Sequence, residues 1–312
     1  MSFRTSRCTL LALFLLVASA PASLAQEIFT YATGVTGPWG LAFDAGGNLY
    51  VTNHLANIYK VAPGGGSASL FATAAGAVHL VGVVCDASGN VFVADRGDLA
   101  VANTAKIFKV TPAGVVSLFK SSLPSLFGLT IDASGNLYAG VYNGQKVIKI
   151  TPAALVSDYA TGLGVPGNQT CQLDFDAAGN LYAGNEDRIL RIAPGGSPVT
   201  QVVGGVYQAM GFVRWTGDNF IVSTFGFGRL TYASPTRGNP VVDITSTLLV
   251  NQCTDGPIPA GTRVNQTVFM ALRDDWVYFA DQGCNKVRRF HLPGQPVPSV
   301  PRTWGSVKSM YR

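Results

Sequence analysis

The chain has 312 residues, of which 22 are Lys or Arg and 17 Asp or Glu, for a formal net charge of +5. Five of the basic residues, Arg4, Arg7, Arg302, Lys308 and Arg312, lie at the two ends, so the body from 26 to 301 is balanced, 17 against 17. That excludes the concentrated basic face that nucleic-acid binding needs. The 12% charged fraction and 36 glycines point to many tight turns and few helices.

Residues 1–25 carry Arg4 and Arg7, an apolar stretch from Leu10 to Ala18 and small residues ending Ser23-Leu24-Ala25. This predicts a cleavable signal peptide, with the mature chain starting near Gln26 in a secreted or periplasmic location. The apolar run is well short of the roughly 20 residues a membrane span needs, so no span is expected.

From residue 38 onward one phrase recurs. Asp44-Ala45-Gly46-Gly47-Asn48-Leu49-Tyr50 reads as the turn and second strand of a β-hairpin. Copies begin at Asp86, Asp132 and Asp176, stepping by 42, 46 and 44 residues, and weaker ones surround Asn219 and Trp276. Each hairpin is followed by a third strand, such as Asn57 to Val61 or Lys106 to Val110, and then a fourth, such as Ala68 to Thr73. A period in the forties built from strands predicts an all-β, six-bladed β-propeller of four-stranded antiparallel blades over residues 26–292. The sixth repeat holds only three strands before Pro293. Glu27 to Gly34 resembles the fourth strands at Ser69 to Thr73 and Ser157 to Gly162, so the N-terminal strand is expected to close the ring. Residues 293–312, a Pro-rich linker and tail, have no slot in it; a surface-attachment or docking role is one expectation, an unattached end the other.

Gly40, Gly82, Gly128 and Gly211 occupy one equivalent place in the innermost strands, where convergence on the axis leaves little room. The fourth repeat has Gln172 there. Counting from these positions puts inner-strand starts and the loops after second strands on one face. That face carries Trp39, His79, Phe127, Gln169, Cys171 and Met210 from inner strands. The loops add Asn53, His54, Asp95, Arg96, Tyr142, Asn185, Glu186, Phe225 and Asp281.

The phrase Gly-Leu-x-x-Asp-Ala-x-Gly-Asn-Leu-Tyr-Val, followed by an Ile-x-Lys-Val strand, resembles the six-bladed NHL-repeat and SMP-30/gluconolactonase-like propellers, which include the virginiamycin B lyases. It covers nearly the whole mature chain. The resemblance implies a divalent ion, Ca²⁺ or Mg²⁺, held in the channel by side chains just before the inner-strand glycine. Here those positions are Trp39, Val81, Phe127, Cys171 and Met210, none of them a hard oxygen ligand. Loop residues Asp95, Asn185, Glu186 and Asp281 are the alternative oxygen cage, although Asn and Asp also commonly cap strand ends. Amidating-lyase relatives would need three channel histidines, and the chain has His54, His79 and His291 in all.

Two functions follow. The first is a secreted, monomeric binding or interaction module that takes a small molecule, a glycan or a protein loop against Trp39, Phe127, Tyr142, Arg96 and Met210. The second is a metal-dependent hydrolase or lyase of the gluconolactonase-like group, with His79 as general base beside Asp95 or Glu186. Cys253 and Cys284 both fall on the site face and are expected to form a disulfide. Cys85 and Cys171, two repeats apart, are expected to be free and buried. Asn168 and Asn265 open glycosylation-like triplets.

Overall fold

The computed structural model describes residues 27–164, 169–206, 208–214, 219–225, 229–234, 241–243, 253–257 and 264–292. The expected signal segment, the Pro-rich tail and Asn168 lie outside these.

Six antiparallel sheets are arranged as the blades of a propeller. Blade one runs from its inner strand outward as Pro38–Phe43, Leu49–Asn53, Asn57–Val61 and Ser69–Thr73. The others start at inner strands Leu80–Cys85, Leu126–Ile131, Thr170–Phe175, Ala209–Arg214 and Thr267–Arg273. No helix among the described residues is long and apolar enough to cross a membrane.

The recurring phrase forms its turn by local chemistry. Asp132 Oδ1 accepts the backbone N–H of Ser134 and of Asn136, while Oδ2 accepts the Asn136 side-chain amide at 2.8 Å and the Tyr138 hydroxyl at 3.0 Å. Gly135 takes φ +79°, which Gly adopts without a Cβ penalty. Asp86 and Asp176 hold Asn90 and Asn180 in the same way.

The ring is closed by Glu27–Thr33, which pairs antiparallel with Lys286–His291 as the outer strand of blade six. Two further contacts hold this strand. Ala32 and Thr33 pair in parallel with Gly66 and Ser67, in the glycine-rich turn of blade one. On the same edge, opposite Lys286–His291, it pairs with Gly256–Pro257, and the Thr30 N–H donates to Asp255 Oδ2 at 2.7 Å. Asp255 also binds the fully buried Arg288 guanidinium at 3.0 Å, and Cys253 is joined to Cys284 by a disulfide with Cα atoms 5.5 Å apart. The segment from Cys253 to Pro257 is thus a strap across the closure rather than a free loop. Cys85 and Cys171 are free; Cys171 is buried, whereas Cys85 is only partly so.

The inner-strand glycines answer to sterics. A Cβ on Gly40 would lie 2.2 Å from the Val81 carbonyl oxygen of blade two, and one on Gly128 would lie 1.8 Å from that of Cys171 in blade four. On Gly211 it would meet the Val268 oxygen of blade six at 2.4 Å. Hydroxyls bridge the same seams: Thr52 donates to Val81 O, and Ser223 to Val268 O. In blade four the Gln172 side chain reaches across two blades. Its Nε2 donates to the carbonyls of Phe212 and Met270 at 2.9 and 2.8 Å, and its Oε1 accepts their N–H groups at 3.3 and 2.9 Å.

Replacing Gly128 by Ala is expected to destabilise the fold by roughly 3 kcal/mol, because the obstructing atom is backbone. Gly46→Ala, whose nearest neighbour is the movable Asp44 carboxylate at 3.3 Å, should stay within about 0.5 kcal/mol. Urea denaturation of the two variants is the check.

Candidate functional site

One cavity of about 190 Å³ opens on the face carrying inner-strand starts and second-strand loops. Blade one contributes Trp39 to its wall and blade two Arg96. Blade three supplies Phe127 and Tyr142, blade four Gln169, Cys171 and Glu186, and blade five Ala209, Met210 and Phe225, with Gln208 just before its inner strand. All five side chains singled out from the sequence for ligand contact, Trp39, Arg96, Phe127, Tyr142 and Met210, line this one space, as does Glu186.

The aromatic wall is packed as a unit. Trp39 meets Phe127 edge-on at 5.9 Å and Phe225 at a tilt at 5.7 Å, and Phe127 stacks with Tyr142 at 5.6 Å. Behind Trp39 lies a column of rings: the Trp39 indole on His54 at 4.3 Å, and His54 on His79 at 4.3 Å. Gln169 donates to the Tyr142 hydroxyl at 3.1 Å. Cys171 Sγ sits 3.7 Å from Met210 Sδ, and burial pushes its thiol pKa far up, so it is not a thiolate nucleophile.

The other candidates serve the strand ends. Asn53, Asp95, Asn185 and Asp281 are the last residues of four second strands, and all four are buried. Asn53 Oδ1 accepts the Asn57 N–H, opening the third strand. Asp95 Oδ1 accepts the N–H groups of Val78, His79 and Gly97. Asp281 accepts the Asn265 N–H and the Arg288 guanidinium at 3.0 Å. Asp95 and Asp281 thus commit carboxylate oxygens to strand-end N–H groups and to Arg288, while the Asn185 amide lies 3.5 Å from the Thr170 hydroxyl. Among the described residues no group of three His, Cys, Asp or Glu side chains is placed to hold a metal.

The ring position that the family resemblance assigns to metal ligands is occupied by Trp39, Val81, Phe127, Cys171, Met210 and, by register, Val268 in blade six. Carbon and sulfur at all six positions do not fit Ca²⁺ or Mg²⁺, which take oxygen ligands. Nor does the geometry pair the His79 ring with Asp95 as base and orienting carboxylate. Asp95 binds the His79 backbone, not its ring, and the ring Nδ1 donates to the His54 carbonyl at 3.0 Å. His79 and Asp95 both lie outside the cavity lining.

No family model and no curated protein sequence matches the chain. Solved structures do. An auxiliary nutrient binding protein from Bacteroides thetaiotaomicron is 13% identical with a TM-score of 0.67, over 85% of this chain and 76% of that one. The virginiamycin B lyase of Staphylococcus aureus is 15% identical with a TM-score of 0.59, over 86% and 99%. The PQQ-bound aldose sugar dehydrogenase of Streptomyces coelicolor is 15% identical with a TM-score of 0.56, over 85% and 98%. The likeness is one of fold. It agrees with the six-bladed propeller read from the repeats, and at this identity it carries no activity across.

Burial, then the neighbouring His79 and Arg96, pulls the His54 imidazole from 6.5 down to about 4. Its neutral form is therefore the native one, and the unfolded chain takes up this proton at a higher pH than the folded chain does. Stability from this group falls as pH drops from about 6.5 to 4. The stability difference between the parent and His54→Gln should be flat above pH 7 and move against the parent through that window. Urea midpoints at a series of pH values measure it; a constant difference would contradict the assignment.

Proposed function

We propose that the protein is a binding propeller that takes a small, ring-bearing molecule in the cavity between Trp39, Phe127, Tyr142 and Phe225. The observation that carries this is the wall itself: four aromatic side chains from three blades converge on one concavity, with a few polar groups at its edge. Sites of that composition are typical for small molecules. The volume, about 190 Å³, is below the roughly 300–1,000 Å³ of pockets for drug-sized ligands, which favours a small molecule over a glycan chain or protein loop. The nutrient-binding proteins among the structural neighbours support a binding role. The Cys253–Cys284 disulfide supports an oxidising, extracellular or periplasmic setting, in keeping with the signal-like residues 1–25. The metal-dependent hydrolase is not favoured, since the ring positions lack oxygen donors.

A thermal-shift screen of small aromatic compounds on the mature protein tests the proposal. Hits are expected whose affinity falls about tenfold in Tyr142→Ala and in Phe225→Ala, the loss of one ring contact, and is unchanged by EDTA. Hits indifferent to both variants would overturn the location, and binding abolished by EDTA would return the metal reading to first place.

A further inference from the structure

Two polar atoms in the cavity-lining side chains are withdrawn from water without a partner. The Trp39 side chain is 3% exposed, and its Nε1–H has no acceptor. The Arg96 Nε–H is likewise buried and unmatched. Both groups are donors only, and both side chains line the same cavity. Neither atom is reached by water, so a ligand entering the cavity meets the remainder of the Arg96 guanidinium instead. The Arg96 charge selects an anionic oxygen. Burial lowers the Arg96 pKa, with Tyr142 and then Asp95 opposing that shift.

Glu186 supplies the opposite charge. It lines the same cavity, and no hydrogen bond or ion pair holds its carboxylate among the described residues. It follows the second strand of blade four, whereas Arg96 follows that of blade two. Phe127 and Tyr142 of blade three stand between them. The two charges thus flank an aromatic wall instead of neutralising each other.

A neutral ring entering this space would cover both charges and pair neither, which is unfavourable. An anion alone would pair Arg96 and lie beside an uncompensated Glu186; a cation alone would do the converse. We propose that the ligand is a small dipolar molecule with an aromatic ring, its carboxylate received by Arg96 and its ammonium by Glu186. This is the chemistry of a free aromatic amino acid. The inference rests on the reading that the cavity binds a small ring-bearing molecule, and names its class.

The test is isothermal titration of the mature protein with four probes that share one ring: phenylalanine, 3-phenylpropanoate, phenethylamine and 2-phenylethanol. Phenylalanine is expected to bind about tenfold or more tightly than each of the others, the scale of one charge-assisted contact. Arg96→Gln should erase its advantage over phenethylamine, and Glu186→Gln its advantage over 3-phenylpropanoate. Equal affinities, tighter binding of either singly charged probe, or an advantage that survives both substitutions would overturn the dipolar ligand and leave the binding role standing. No binding by any probe, together with no hit in the wider aromatic screen, would overturn both.

Discussion

The closeness of the inner strands governs this molecule. Where each inner strand turns past the axis, the carbonyl of the next blade lies so near that a β-carbon has no place, 2.2 Å at Gly40 and 1.8 Å at Gly128. Glycine is the simple solution, and Thr52 and Ser223 fasten the seam by donating into it. Gln172 is the other solution. Its amide has two donor hydrogens and an oxygen with two lone pairs, and all are matched by the backbone of Phe212 and Met270. One side chain of blade four therefore serves as a backbone-like link to blades five and six.

The site follows from that crowding. With the carbonyls directed at neighbouring blades, the residues just before the glycines and Gln172 project side chains toward the cavity or the core, and these are Trp39, Val81, Phe127, Cys171 and Met210. A metal-binding propeller would place oxygen donors there; this chain places rings and sulfur. The charged groups enter from the loops after second strands, as Arg96 and Glu186, so charge sits at the edge of a largely apolar interior.

Fold was legible because its signals are local or repeated. The Asp-x-x-Gly-Asn turn is formed by Asp132 and its analogues within seven residues, and the closing strand was visible as a displaced copy of Ser69–Thr73. Register counting from the glycines grouped Trp39, Phe127 and Met210 correctly on one face, and the same counting put Cys253 and Cys284 on it. The roles of Asp95, Asn185 and Asp281 were not legible. A carboxylate or amide at a strand end has the same sequence signature whether it turns toward the channel or accepts the N–H groups of the adjoining loop, as Asp95 and Asp281 do. Gln172 showed only as an exception to glycine, since its partners lie 40 and 98 residues away. Gln208 entered the wall unannounced, from a position just before an inner strand.

The Gln172 amide is the central link between blades four, five and six. Residue-resolved amide hydrogen exchange at Phe212 and Met270 tests it directly. Both N–H groups should exchange as slowly as the ladder amides of their own strands, because Gln172 Oε1 accepts both in the interior. Rapid exchange at either, with the neighbouring ladder amides still protected, would contradict it.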